Sequence, residues 1–167
     1  MAQRQSLREY QRELTERLKG AAKGRAASRL GVQVGTDVWL VDLADAGEVI
    51  PVPPIAAVPL TRPWFRGVAN IRGRLYAVAD FSAFLGGAPS AGEQARLLLL
   101  GERFRIGSAL LVDRSLGLRA MDQLEIEPAA AASPWQRAAY RDQDGRHWKE
   151  LDVARLVQDA AFLEVAA

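Results

Sequence analysis

Trp64-Phe65-Arg66-Gly67-Val68-Ala69-Asn70-Ile71-Arg72-Gly73-Arg74-Leu75-Tyr76-Ala77-Val78-Ala79-Asp80 reads as a strand, a tight turn and a second strand. Gly73 accepts a positive φ at no steric cost and Asn70 tolerates one, so the chain reverses here within a few residues. Such a turn holds Arg72 outward with little entropy left to lose when a partner binds. Its guanidinium is a planar fork of donors suited to carboxylates and backbone carbonyls. Trp64 and Phe65 are costly to leave in water, so they either plug the core or mark an interface. Taken alone, the residues fit equally a hairpin with a solvated arginine and a hairpin with a partner contact.

The same two-residue period extends both ways from this hairpin. Residues 30–34 and 38–43 alternate around a turn at Gly35-Thr36-Asp37, and Glu48-Val49-Ile50 forms a third strand. Pro51, Pro53, Pro54 and Pro59 prevent ladder pairing and predict an extended crossing over a barrel end. Asp80 is placed to cap a short helix through Phe81, Phe84 and Leu85, which Gly86-Gly87 ends. The small-residue loop 87–92 is expected to separate two halves. Beyond it, residues 95–100 and 106–112 flank a turn at Gly101-Glu102-Arg103, and residues 114–121 form a strand with Gly117 as a bulge. An alanine loop at 129–133 precedes strands 136–140 and 146–148 around a two-residue Asp144-Gly145 turn. A helix is expected over residues 152–163, with Val153, Leu156, Val157 and Ala160 facing the core. The total is nine or ten short strands with no strand–helix–strand alternation. That pattern points to a small barrel or sandwich and away from Rossmann and TIM folds.

At the N-terminal end, Ser6 and Glu9 fit a capping box for a helix over residues 6–19, with Leu7, Tyr10, Leu14 and Leu18 on one stripe. This helix either packs on its own domain or seats a partner. Residues 19–29 carry two glycines and four positive charges and read as a solvated linker.

Composition narrows the chemistry. With 22 basic against 20 acidic residues, the charge is too balanced for a nucleic-acid stripe. There is no cysteine and one histidine, so the common zinc sites and thiol nucleophiles are excluded. His147 follows a turn beside Trp148 and reads as structural or solvated. Asp142 and Asp144 begin like a calcium loop, but the later ligands are missing, and they read as turn residues. Glu125 and Glu127 share one face of a strand edge. No phosphate loop or nucleophile elbow occurs. The expectation is a binding module, not an enzyme, with no cofactor and no metal. No apolar run reaches the roughly 18 residues of a membrane span, which predicts a cytoplasmic protein without direct membrane insertion.

The stretch 64–80 also resembles the signature of the CheW-like family of chemosensory adaptors, a Gly-Val-x-Asn-hydrophobic-Arg-Gly turn followed by a strand ending in an Asp-hydrophobic pair. The opening hairpin at Gly35, the Glu48 strand, the proline-rich approach and the strands at 96–100 and 106–113 fall in family order. The likeness runs from Leu30 to about Phe162. The wording Gly67 to Leu75, the N-terminal extension and the ending Ala161-Phe162-Leu163-Glu164-Val165 further resemble family members from type IV pilus twitching-motility systems.

The resemblance implies a mainly β fold of two intertwined SH3-like five-stranded β-barrel subdomains over residues 30–167. An N-terminal helix and linker over 1–29 and a short C-terminal helix complete it. It also implies a scaffold that bridges the cytoplasmic tip of a methyl-accepting chemoreceptor to the regulatory domain of a CheA-type histidine kinase at membrane-associated arrays. The receptor tip would lie in the groove between the barrels. Carried over by position, Gly67, Asn70, Arg72 and Gly73 form the signature turn, and Glu48 is an acidic position tied to receptor coupling. Ala46 replaces a bulkier aliphatic residue. Pro51 and the strand Tyr76-Ala77-Val78-Ala79 also depart from the family pattern, which bears on partner choice. A flagellar CheW-type adaptor and, more distantly, a nucleic-acid-binding barrel are the alternative readings.

Overall fold

A computed structural model of the chain describes Thr15, residues 28–128 and residues 133–167. Apart from Thr15 and the last two linker residues, the helix and linker expected over 1–29 lie outside the described residues. So does most of the alanine loop. Eleven strands run through the described residues. They are β1 (Ser28–Val34), β2 (Asp37–Asp42), β3 (Ala46–Pro51), β4 (Phe65–Ile71), β5 (Arg74–Asp80), β6 (Arg96–Leu100), β7 (Ser108–Val112), β8 (Arg114–Ala120), β9 (Leu124–Glu127), β10 (Gln136–Asp142) and β11 (His147–Leu151). Three one-turn α-helices, α1 (Phe81–Phe84), α2 (Val153–Leu156) and α3 (Ala160–Leu163), and two 3₁₀ turns, Glu102–Phe104 and Met121–Gln123, complete the order. Ser28 and Arg29, expected in the linker, are already in β1.

The strands form two sheets, in the orders β8-β1-β2-β11-β10-β9 and β3-β6-β7-β5-β4. The mainly β architecture with two small sheets matches the expected class, and the first sheet carries a sixth strand, β9. The loop 87–92 does not separate two halves. Strands β3 to β5 before it and β6 and β7 after it share one sheet. The halves interlock because two parallel pairings join distant segments: β2 with β11 through Val38–Trp148 to Val41–Leu151, and β5 with β7 through Ala77–Ser108 to Asp80–Leu111.

The apolar runs show why. Strand β6 sends Leu97 and Leu99 into one core and Leu98 and Leu100 into another, and β7 divides Ala109 and Leu111 from Leu110 and Val112 in the same way. Strand β2 sends Val38 and Leu40 toward Trp148 but Trp39 and Val41 toward the other sheet. Runs apolar on both faces belong to strands covered on both sides. Each sheet therefore has its own interior, and a third core lies between them. That central layer holds Trp39, Phe81 and Trp135, with Trp39 meeting Phe81 edge-on at 5.5 Å. Full burial of one such side chain contributes about 1.5–3 kcal/mol.

The five-stranded sheet is rolled. Its edge strands are β3 and β4, yet the proline crossing that follows β3 returns to β4, where Ala56 and Val68 exchange backbone hydrogen bonds of 2.8 and 2.9 Å.

Local chemistry places the caps. Asp80 is fully buried; one carboxylate oxygen accepts from the Ala83 N–H, and the other accepts from the Ser90 N–H and meets Arg66. Gly86, at φ +84°, ends α1. The tail departs from the single helix expected over 152–163. Asp152 caps α2 through the Arg155 N–H, and Asp159 caps α3 through the Ala161 N–H. An aspartate in the middle of this run competes for backbone donors and restarts the helix. The Asp144-Gly145 turn also differs. The loop is three residues, Gln143 to Gly145, with Gly145 at φ +79° and the Asp142 N–H donating to the Arg146 carbonyl. Gly117 sits at φ +75° where the β1–β8 register shifts, as a bulge requires.

Candidate functional site

The four signature residues build one object, the tip of the β4–β5 hairpin. Its loop has two residues, Arg72 and Gly73, between the pair Ile71–Arg74. Arg72 has φ +54° and Gly73 has φ +82°, the paired positive values of a type I′ turn. The second positive φ thus falls on Arg72, whereas residue type points to Asn70. Asn70 instead braces the turn, its side-chain oxygen accepting the Gly73 N–H at 2.9 Å. An arginine at positive φ is strained, and such strain concentrates at functional positions.

Gly67 acts at a distance from the tip. It is buried, its φ is +127°, and a Cβ there would lie 2.1 Å from the Ala56 carbonyl oxygen. Only glycine lets the proline crossing pass this close, and the register shift between Phe65 and Gly67 marks the spot. Gly67 therefore shapes the edge of the hairpin and offers no surface to a partner.

Glu48, on β3 at the opposite edge of the sheet, meets Arg72. The contact is a two-point fork, Nη1 to Oε2 and Nη2 to Oε1, both 2.8 Å. The Arg72 hydrogen bond holds the Glu48 carboxyl below the ordinary carboxylate range, and Glu48 in turn raises Arg72. Both groups stay exposed, so the pair is solvent-screened and contributes little to stability. Its value is geometric: it fixes two charges at one rim of the rolled sheet.

Sequence reading missed the neighbours of this pair. A groove of about 300 Å³ lies beside it, lined by Ile71, Tyr76, Leu99 and Leu100, with Arg74 and Glu102 completing the rim. Arg74 and Glu102 form a second exposed ion pair. The only hint in the sequence is the charge at each turn, Arg74 after Gly73 and Glu102 after Gly101.

A wider groove of about 500 Å³ opens where the six-stranded sheet meets the end of α1 and the C-terminal tail. Trp39, Phe84, Leu85 and Trp135 give it an apolar wall, and the Asp37–Lys149 ion pair (2.5 Å) gives it a polar edge. Trp39 Nε1 is buried there without a hydrogen-bond partner.

The candidates His147 and Asp142 are held in local structure. His147 Nδ1 lies 2.7 Å from Glu127, whose other oxygen accepts from Arg141. Asp142 accepts from the Trp148 indole N–H at 2.8 Å and from the Asp144 and Arg146 N–H groups. Among the described residues, no three His, Cys, Asp or Glu side chains cluster as metal ligands, and no helix is long and apolar enough to cross a membrane. Among the described residues, arginines such as Arg62, Arg66, Arg137 and Arg141 each face a carboxylate, so positive charge there is interleaved with negative.

Two sheets, an ion-paired hairpin tip and an apolar groove are the surface features that the described residues present. The chain belongs to the CheW-like domain family, whose profile matches residues 29–161. Among curated proteins it is similar to Protein PilI of Pseudomonas aeruginosa, 29% identical over 145 residues covering 83% of this chain and 80% of that protein. Among solved structures it is similar to the scaffolding protein TtCheW from Thermoanaerobacter tengcongensis, with TM-score 0.64, 16% identity, and coverage of 75% of this chain and 88% of that one. The latter likeness speaks for the fold.

Proposed function

We propose that this protein is a non-catalytic adaptor that couples the cytoplasmic tip of a methyl-accepting chemoreceptor to the regulatory domain of a CheA-type histidine kinase, in the signalling pathway that controls type IV pilus twitching. The observation that carries the reading is the Arg72–Glu48 fork. The signature residues Asn70 and Gly73 shape the strained turn that carries Arg72, and the fork holds both charges on an exposed rim where they do little for the fold. Membership of the CheW-like family supports the adaptor role, and the likeness to PilI supports the pilus pathway over a flagellar one. Interleaved charges argue against a nucleic-acid-binding barrel. In this reading the receptor tip meets the Glu48–Arg72 rim and the wider groove, and the protein works where receptor arrays gather at the membrane.

An adaptor of this kind makes no bonds. It links two equilibria by contacting the receptor and kinase differently in their two states. The test is reconstitution with a receptor-tip fragment and a kinase regulatory domain from the same cell. The wild-type chain binds both and supports receptor control of the kinase, and Arg72→Glu folds normally but loses that control. Normal coupling by a folded Arg72→Glu chain overturns the site, and absence of binding to either partner overturns the role. A deletion strain that loses swimming and keeps twitching overturns the pilus assignment.

A further inference from the structure

We propose that Arg74 is a second anchor for the receptor tip: it exchanges Glu102 for a carboxylate of the receptor and so opens the groove beside Arg72 to an apolar receptor side chain. This rests on the reading that the Glu48–Arg72 rim faces the receptor.

The two ion pairs at the rim differ in construction. Arg72 holds Glu48 through two nitrogens and both carboxylate oxygens. Arg74 touches Glu102 through Nη1 alone. The Glu102 side chain is 80% exposed, against 43% for Glu48. Glu102 rides on a single 3₁₀ turn, Glu102–Phe104, whereas Glu48 is held within a paired strand. The first pair is a strut across the rolled sheet. The second is a one-point contact between two exposed side chains, with its acid on a short turn, and a carboxylate that takes Arg74 at two points displaces it at small cost, because an exposed pair contributes little.

What lies below makes the exchange productive. Ile71 and Leu99 belong to the interior core of the five-stranded sheet, and Tyr76 packs against that core, so the groove floor is the open end of the rolled sheet. Both arginines stand on the hairpin wall and both acids on the facing wall. A matching segment offers an apolar residue to the floor and a carboxylate to the arginine wall. Arginine suits this role because its fork takes a carboxylate at two points.

The experiment is a titration of full-length variants with a labelled receptor-tip fragment, each variant checked for folding by its thermal melt. Arg74→Glu is expected to weaken binding about tenfold or more and to reduce its salt dependence. Glu102→Gln is expected to bind at least as tightly as wild type, because Arg74 then has no competitor. The double swap Arg74→Glu with Glu102→Arg is the deciding arm. If the pair serves only the fold, the swap restores binding, and the proposal is overturned; if Arg74 meets the receptor, binding stays weak. Arg74→Gln, milder for the fold, is expected to fall between wild type and Arg74→Glu. Variants that bind the receptor normally but lose the kinase regulatory domain also overturn it. If wild type binds the receptor and Arg74→Glu binds equally well, this inference alone falls. If wild type does not bind the receptor, both this and the receptor role fall.

Discussion

In the β10–β11 hairpin Asp142, the last residue of β10, turns its carboxylate into its own loop; in the β4–β5 hairpin the charged residue of the turn, Arg72, points outward. Asp142 accepts two backbone N–H groups of its own loop and the indole N–H of the buried Trp148. Arg72 sits at positive φ and reaches across solvent-exposed space to Glu48. Both loops need a left-handed glycine, Gly145 in one and Gly73 in the other. The difference lies in where the polar groups go. One hairpin satisfies itself and fastens a core tryptophan. The other accepts backbone strain and leaves its charges on the surface, which is the arrangement expected where a partner, and not the fold, benefits.

This contrast is open to attack at four points. Gly67→Val carries the largest effect, because a side chain there collides with the Ala56 carbonyl and the backbone is left-handed. We expect a loss of about 3–5 kcal/mol in chemical denaturation; a variant as stable as wild type would refute the clamp on the outer hairpin. Asp142→Ala is expected to cost about 1–3 kcal/mol by leaving the Trp148 N–H and two backbone groups unpaired. The Trp148 hydrogen bond, chief among the contacts here, holds the Asp142 carboxyl below its ordinary value. Its contribution is therefore fully present above the ordinary carboxylate range and fades as pH falls through the lowered folded value. The difference in stability between wild type and Asp142→Asn should shrink on acidification, and a difference that grows contradicts the assignment.

Gly73→Ala and Gly145→Ala form a matched pair. An added Cβ meets nothing within 4 Å at either site, so only the left-handed backbone matters. Each should lose about 1–2 kcal/mol, but only Gly73→Ala should also weaken receptor binding; equal binding defects would erase the distinction between the hairpins. The smallest effect on stability, and the sharpest, is Arg72→Asn. Asparagine tolerates positive φ better than arginine, so the melt should rise slightly while receptor coupling is lost. A falling melt would mean that the Glu48 fork stabilises more than the strained turn costs.

The residues that declare themselves in the sequence act through local rules. Asp80 as a cap, Gly86 as a stop, Gly117 as a bulge and the alternation of β1 and β2 each depend on neighbours a few positions away. What the sequence conceals depends on distant partners. The runs at 97–100 and 109–112 announce strands, but not that each is shared between two cores. The split at Asp159 was hidden because Val153, Leu156, Val157 and Ala160 keep a helical period across it, although the aspartate itself was the available signal. At the site, Arg72 was legible as an outward charge and Glu48 only through family likeness. Their meeting depends on rolling a sheet whose edges are β3 and β4. Arg74 and Glu102 were invisible as a pair for the same reason.

The interlocked sheets also dictate an order of assembly. Every strand of the five-stranded sheet, β3 to β7, lies in one continuous stretch of chain, inserted between β2 and β8. That sheet can complete itself while the chain is still being made. The other sheet cannot, because Val38 must wait for Trp148 to lie beside it. Closing so long a loop is entropically costly and slow. Until then Trp39, Leu98, Leu100 and Leu110 share an unfinished central core. We expect the barrel that bears the Arg72 rim to form first and the strands flanking it in sequence to pair later.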